Sequence, residues 1–304
     1  MAEGRILIGT ASWTDPSLVK SGAFYPAAAT SAEARLRYYA RLFPIVEVDS
    51  SYYALPSERN AQMWVERTPE HFVFNVKAFR LLTQHQTEPK VLPPNVRIEL
   101  EASAKKNVYY EELAADLKEE IWRQFRLALE PLRSAGKLGA VLFQFPKWFI
   151  VRRASFDHLR EVRERLAGYP VAIEFRHESW FSERHCASTL SFEREVGFCN
   201  VIVDEPQLRP GSIPTVWETT ADELAMVRLH GRNARTWNMK GLKSSSERFD
   251  YQYLEGELVE LAPPIRDLAR RAKCVHVIFN NNKEDQGIRG AQIMQRLLSL
   301  AQGG

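Results

Sequence analysis

The sequence predicts a single α/β domain of the (β/α)8, or TIM-like, barrel type, with a long insertion between its third and fourth strands. Three observations predict it. Eight short apolar runs recur along the chain, most intervals between them carry helix-like spacing, and alternate positions of the runs separate into an apolar and a polar set.

The runs are RILIGTASW (5–13), IVEVDSSYY (45–53), FVFNVKAF (72–79), GAVLFQFP (139–146), PVAIEFRH (170–177), FCNVIVDEP (198–206), AMVRLHGRN (225–233) and CVHVIFNNN (274–282). Most are rich in β-branched or aromatic residues, as strands are. The first interval has no clear helix before Ser31, after which SAEARLRYYARLF is amphipathic. NAQMWVERTP follows the second run, and YYEELAADLKEEIWRQFRLALEPLRSAG precedes the fourth. SFDHLREVRERLAG, STLSFEREVG and PPIRDLARRAK fill later intervals, with Pro or Gly near several ends. TADEL, before the seventh run, is too short for a full helix. The 80–138 interval holds LLTQHQTEPKVLPPNVRIELEASAKKN ahead of its long helix, a length expected of an active-site cover or of a structural insertion. A second unusual loop, PQLRPGSIPTVWETT, follows the sixth run.

A chain of 304 residues with 45% apolar content is long enough for one large barrel domain, taken here as 1–304. The balance of 41 basic against 38 acidic residues, net +3, is too even to announce a nucleic-acid partner by bulk charge, so any basic site is local. Cys186, Cys199 and Cys274 are far apart and unpaired in spacing, which argues against a disulfide framework and for a reducing, cytoplasmic setting. MAEGRILIGTASW lacks the apolar run of a signal peptide, and charges interrupt every run before it could span a bilayer, so no membrane association is expected.

In a barrel strand one parity faces the helices and the other the interior. Val46 and Val48, Phe74 and Val76, Val141 and Phe143, Ile173 and Phe175, Val201 and Val203, Val227 and Leu229, and Val275, Val277 and Phe279 form the helix-facing set. The interior set is then Glu47 and Asp49, Asn75 and Lys77, Gln144, Glu174 and Arg176, Asp204, Arg228 and His230, and His276 and Asn280. Most lie in the C-terminal halves of their strands, where enzymes of this architecture assemble their sites. An interior this charged must be paired, wet or ligand-filled, because an unpaired buried charge costs several kcal/mol.

Several motifs together resemble, almost end to end, the YecE-like family, domain of unknown function seventy-two. They are IGTASWTD with GAFYP, LRYYARLFPIVEVDSSYYALP, WVERTPEHFVFNVKAFRLLT, LFQFP, EFRHESW, VDEP, RLHGRN with FDYQYLEGEL, and FNNN close to GAQIMQRLL. The resemblance implies a (β/α)8 barrel and carries positions rather than roles. The matching residues are Trp13, Glu47, Tyr52, Lys77, Gln144, Glu174, Arg176, His177, Trp180, Asp204, Arg228, His230, Arg232, Asn233, Asn280 and Asn281. Two departures stand out. TQHQ (83–86) replaces a Thr-His pair, an extra residue that redirects His85, and Ala11-Ser12 replaces a Ser-Gly pair before Trp13.

Lys77, Arg176, Arg228 and Arg232 suit an anion, with guanidinium forks matched to phosphate or carboxylate. Glu47, Glu174, Asp204 and His230 are the candidate acids and bases, and Asn280 and Asn281 would orient hydroxyls. Trp13, Tyr52, Tyr53, Trp148, Trp180 and Trp237 fall at strand ends and either stack on a ligand or anchor the rim. No cofactor is expected; a divalent metal is the lesser alternative, since paired-histidine spacing is missing and the cations oppose it. GxSxG, P-loop and GxGxxG motifs are likewise missing. The leading expectation is an enzyme using acid–base chemistry on a phosphate-bearing sugar or nucleotide-like substrate. The alternatives are a nucleic-acid-binding or repair-type protein, metal-assisted nucleases included, and a barrel that only binds a ligand. For the second, RRAS (152–155), RNAR (232–235), MKGLKSSSER (239–248) and RRAK (270–273) are the candidate basic surfaces.

Overall fold

Eight parallel strands close into a barrel in sequence order, β1 (Arg5–Ala11), β2 (Ile45–Val48), β3 (Val73–Lys77), β4 (Leu138–Gln144), β5 (Val171–Glu174), β6 (Cys199–Asp204), β7 (Ala225–Leu229) and β8 (Cys274–Phe279), with β8 pairing back to β1. The computed structural model describes residues 3–101, 106–208, 210–239, 241–242 and 245–300. Seven strands fall within the apolar runs that predict them, and β4 begins one residue ahead of its run, at Leu138.

The helices are α1 (Pro16–Ser21), α2 (Ala32–Leu42), α3 (Ser50–Tyr53), α4 (Glu58–Glu66), α5 (Pro94–Glu101), α6 (Ala115–Ser134), α7 (Arg153–Arg165), α8 (Cys186–Val196), α9 (Ser245–Arg248), α10 (Glu255–Arg271) and α11 (Gln286–Leu300). Their starts follow capping chemistry: Ser31 accepts from Ala34 N–H, Ser57 from Asn60 N–H, and Asp15 from Ser17 N–H ahead of Pro16. The first interval therefore does contain a short helix, α1, held by that Asp-Pro start. α10 begins eight residues before Pro263, with Glu257 accepting the Leu254 N–H at 2.8 Å, and runs through Pro263 and Pro264. α11 closes the molecule by burying Ile288, Ala291, Met294 and Leu298 at three- and four-residue spacing.

The barrel interior is layered. Low in it, His276 Nδ1 and Asn75 Oδ1 lie 3.0 Å apart, and burial pushes the imidazole down to about 3, so it is neutral. The β3–β4 register shifts at this level, and a Cβ on Gly139 would come within 2.4 Å of Val73 Cγ1 and 2.7 Å of His276 Cε1. Only glycine lets the chain approach that closely. Ala11, Ile45 and Ile278, with Leu7 and Val73, form a small apolar interior cluster. The polar interior residues lie towards the strand ends.

The 80–138 interval packs into the wall of the molecule. Thr87 and Val108 exchange backbone hydrogen bonds of 3.0 and 2.9 Å, His158 donates to Leu82 C=O at 2.9 Å, and Leu81, Leu82, Leu92, Val96, Tyr110 and Leu113 are buried. α6 is the ordinary helix of the third βα unit. Residues 102–105 of this interval, and Lys240, Lys243 and Ser244 of the MKGLKSSSER surface, lie outside the described residues.

One buried carboxyl belongs to the scaffold alone. Glu193 of α8 is fully buried, neither oxygen has a hydrogen-bond partner among the described residues, and burial raises its pKa well above the usual value. A folded-state pKa above the unfolded one makes this group lose stability as pH climbs above the unfolded value. Glu193→Gln should therefore melt higher than the parent at pH 8, by roughly 2–4 °C per kcal/mol recovered. The difference should shrink towards pH 4, as thermal melts across that range will read.

Candidate active site at the barrel mouth

The centre of the mouth is one arginine with its donors committed to neighbouring side chains. Arg228 belongs to the inward parity of β7 and is fully buried. Its Nε donates to Glu47 Oε2 at 3.0 Å and its Nη2 to Glu47 Oε1 at 2.5 Å, a bidentate fork across the barrel from β7 to β2. Nη1 donates to Glu174 Oε2 of β5 and to Gln144 Oε1 of β4, the latter at 3.2 Å. The side chains of Glu47, Glu174 and Arg228 all have zero exposure, so the ions are paired within the protein rather than by water.

His230 stands one step higher. Its N–H donates to Asp204 C=O at 2.9 Å, and Asn280 N–H donates to Leu229 C=O at 2.8 Å, which carries both ladders past the strand ends. The Asn280 amide nitrogen lies 2.8 Å from His230 Nδ1, so Nδ1 accepts and Nε2–H donates to Glu174 Oε1 at 3.2 Å. Gly231 then turns the chain with φ of 83°, where a Cβ would lie 2.6 Å from Tyr251 Cβ.

Burial and neighbouring charge push these groups in different directions. Burial lifts Glu47 to about 7, although Arg228 opposes it. Burial acts likewise on Glu174, but Arg228, His230 and Arg176 together hold it well below the usual carboxylate range. Burial takes His230 down to about 3 against the pull of Glu174. At neutral pH the floor is thus an ionised Glu174, a charged Arg228 and a neutral imidazole.

Less buried cations stand above this floor. Arg176, 9% exposed, donates from Nη1 to Glu174 Oε1 and to Glu205 Oε2 at 3.1 and 3.2 Å, and lies 5.1 Å from the Trp237 ring centre. Lys147 lies 5.9 Å from the same ring. Trp237 and Phe249 pack on His230 at 6.2 and 5.6 Å. On the β2–β3 side, Lys77 makes a 3.5 Å pair with Asp49 and sits 4.9 Å from the Tyr52 ring centre. A cleft of about 510 Å³ opens beside Asp49, with Ser12, Thr14, Lys20, Tyr53 and Asn282 in its walls.

The structure therefore brings Glu47, Gln144, Glu174, Arg176, Arg228, His230 and Asn280 into one connected network, with Lys77 and Tyr52 alongside. Asp204 and Arg232 form a separate rim cluster: Arg232 grips Asp204 through Nε and Nη2 at 2.8–3.1 Å, Tyr253 OH donates to Asp204 at 2.6 Å, and Arg232 also pairs with Glu257 at 3.2 Å. Asn233 donates to Asp250 C=O and Asn281 to Tyr251 C=O, each at 2.8 Å, so both brace the 250–253 segment. His177 sits on the rim, its Nδ1 accepting Ser179 N–H at 3.1 Å.

Two aromatic rings lie elsewhere. Trp180 stacks on Phe175 at 3.9 Å and donates to Phe149 C=O at 2.6 Å, and Trp13 packs edge-on against Trp64 and Phe74, so both belong to the layer beneath the helices. Residues outside the sequence-based set also reach the mouth: Arg80, His85, Lys147, Glu205 and Phe249. Lys147 directly follows LFQFP, and Glu205 is the first residue after β6 in VDEP, the signal that could have found them. Among the described residues no three His, Cys, Asp or Glu side chains are grouped to hold a metal ion, and both central carboxylates are committed to Arg228. No described helix is long and apolar enough to cross a membrane.

A closed eight-stranded parallel barrel with its charged network gathered at the strand C-termini defines a TIM-like (β/α)8 protein. Within that class the chain belongs to the family described as "Protein of unknown function DUF72", which matches residues 7–304. The UPF0759 protein YunF of Bacillus subtilis is 35% identical over 302 residues, spanning 98% of this chain and 96% of the relative. A solved DUF72 family protein of Enterococcus faecalis V583 superposes with a TM-score of 0.79 at 28% identity, over 97% of this chain and 95% of the other. Another, from Thermotoga maritima MSB8, gives 0.76 at 32%, over 97% and 99%.

The network makes a stability prediction. Arg228→Met leaves buried Glu47 without its counter-ion and Glu174 with Arg176 alone, and should cost about 3–5 kcal/mol in urea unfolding. Adding Glu47→Gln and Glu174→Gln to the same chain should recover part of that loss.

Proposed function

We propose that the protein is an enzyme acting at this mouth, by acid–base chemistry, on an anionic substrate: a phosphate-bearing sugar or a nucleotide-like compound. The observation that carries the reading is the fully buried Arg228 between Glu47 and Glu174, with Arg176 and Lys77 partly exposed above it. Desolvating three ions is hard to justify as core packing, because apolar residues of similar volume are often as stable or more so. Glu47 lifted to about 7 beside an ionised Glu174 is the kind of separated pair that divides acid and base roles. Among the described residues only Nη1 of Arg176 is hydrogen-bonded, which leaves the rest of its fork for a ligand oxygen. The cleft beside Asp49 offers room for a hydroxyl-bearing portion.

Binding of inorganic phosphate, followed by calorimetry at fixed ionic strength, tests the anion site. Lys77→Gln and Arg176→Gln should each weaken it roughly tenfold or more, as expected for loss of a charged hydrogen bond. Unchanged affinity in both variants would remove the reading.

A second reading rests on a row of rings, Tyr53, Tyr52, His85 and Trp148, each edge-on to the next at 5.0, 5.3 and 5.5 Å, with Tyr53 and Trp148 exposed at its ends. Such a row flanked by cations suits stacking of unpaired bases. It requires a labelled single-stranded oligonucleotide to bind at low salt and to lose affinity steeply as salt rises. Indifference at low salt would leave the small-anion enzyme alone.

A further inference from the structure

The loop leaving β3 absorbs the extra residue of TQHQ in a way the sequence does not announce. Gln84 adopts a left-handed φ of 61°, and His85 N–H turns back to Arg80 C=O at 3.0 Å. This brings the imidazole between Tyr52 and Trp148, 5.3 and 5.5 Å from their ring centres.

The Thr83 hydroxyl selects between two partners. Its oxygen lies 3.0 Å from Arg80 C=O, to which it donates, and 2.8 Å from His85 Nδ1; with its one proton on Arg80 C=O the oxygen accepts from Nδ1–H, and this is the tautomer taken for the proposal below. In that arrangement Nε2 carries the lone pair, and it has no hydrogen-bond partner among the described residues. His230 is the opposite case, since both of its nitrogens are spent on Glu174 and Asn280. His177 also differs: its Nδ1 accepts from Ser179, so its Nε2 carries the proton.

Two cations share the Tyr52 ring with His85, Lys77 at 4.9 Å and Arg80 at 5.4 Å from its centre, and both are weakly paired. Among the described residues Lys77 makes one carboxylate pair, with Asp49 at 3.5 Å, and acts on Glu47 through space. Arg80 lies 5.4 Å from the Tyr52 ring centre, pairs with no carboxylate among the described residues, and has a buried Nε–H without a hydrogen-bond partner. A donor left unmet inside a protein costs free energy, and a bound anion removes that cost.

We propose that Lys77, Arg80 and His85 form the reacting corner of the site: the anionic group of the substrate lies against Lys77 and Arg80, and His85 Nε2 accepts the proton of the hydroxyl or water beside it. This rests on the anionic-substrate reading above. In the step the O–H bond breaks, its electron pair stays on oxygen and the proton moves to Nε2. The imidazolium then donates from both nitrogens, with the bound anion beside it. The groups facing the ring are Lys77 from β3, Tyr52 from α3, Arg80 and Thr83 from its own loop, and Trp148 from the loop after β4. Burial first, then Lys77 and Arg80, push His85 down to about 3, and burial pushes Tyr52 up to about 12, so both are neutral. An anion offsets the two cations and makes His85 more basic only when substrate is present.

The test is nitrogen NMR of the imidazoles in the full chain across pH, with and without sulfate, which keeps its charge over the range, and with His85→Gln to assign the signals. Without sulfate His85 should be the Nδ1–H tautomer. Saturating sulfate should raise its apparent pKa by roughly one unit or more, and Arg80→Gln should abolish that rise and weaken sulfate about tenfold. An Nε2–H tautomer, or sulfate bound with His85 signals unmoved, would overturn the proposal. If Arg176→Gln still weakens sulfate in that case, the anionic-site reading survives without it; no anion binding at all would sink both.

Discussion

The Arg228 guanidinium is the constraint around which the rest of the mouth is organised. A cation with zero exposure in the middle of a barrel has no water to solvate it, so the surrounding strands must supply the anions. Glu47 from β2 and Glu174 from β5 do so, Gln144 from β4 takes a remaining donor, and the barrel is thereby tied across its diameter as well as around its circumference. A one-residue slip of β2, β5 or β7 would turn its charged residue under the helices, so the network also fixes register. The apolar cluster of Ala11, Ile45 and Ile278 and the neutral His276–Asn75 pair keep other charges out of the interior below it.

Much of this was legible because strands repeat with period two. Arg228 and His230 had to share a side with Glu47 and Glu174 once Val227 and Leu229 were assigned to the helices, and the pairing follows from charge. What was not legible lies where the period breaks. Trp180 sits past the end of β5, in a turn capped by His177 and Ser179 that swings the indole onto Phe175. Asp204 keeps the interior parity, but Tyr253 from a loop 49 positions away captures it together with Arg232. No local pattern in the chain announces that partner. His85 follows an extra residue expected to redirect it, and the left-handed turn at Gln84 brings its ring between Tyr52 and Trp148.

The start of one helix was missed for a related reason. The two prolines of α10 read as a helix start, since proline is favoured in a first turn. Tertiary packing overrode that preference: Leu258, Leu261 and Ala262 before and at the edge of the prolines are buried along with Ile265 and Leu268 after them, so one continuous apolar stripe holds the helix together despite the missing N–H groups.

The inner and outer layers of the mouth differ in how completely their hydrogen-bonding capacity is used. In the floor, Arg228 and His230 meet at Glu174 and spend their remaining groups on Glu47, Gln144 and Asn280, which suits rigidity and means that a proton exchanged by either carboxyl must break one of these bonds. In the layer above, Arg176 uses one nitrogen, Arg80 Nε none, and His85 one of two. Stability and recognition ask opposite things of a buried polar group, since an unmet donor weakens the fold but strengthens the grip on whatever meets it. A saturated floor makes an unsaturated rim tolerable, because side chains braced from below keep their geometry while empty. The charge at this end of the barrel is thus divided by depth, with the paired ions holding the strands and the unpaired ones facing the space a ligand would enter.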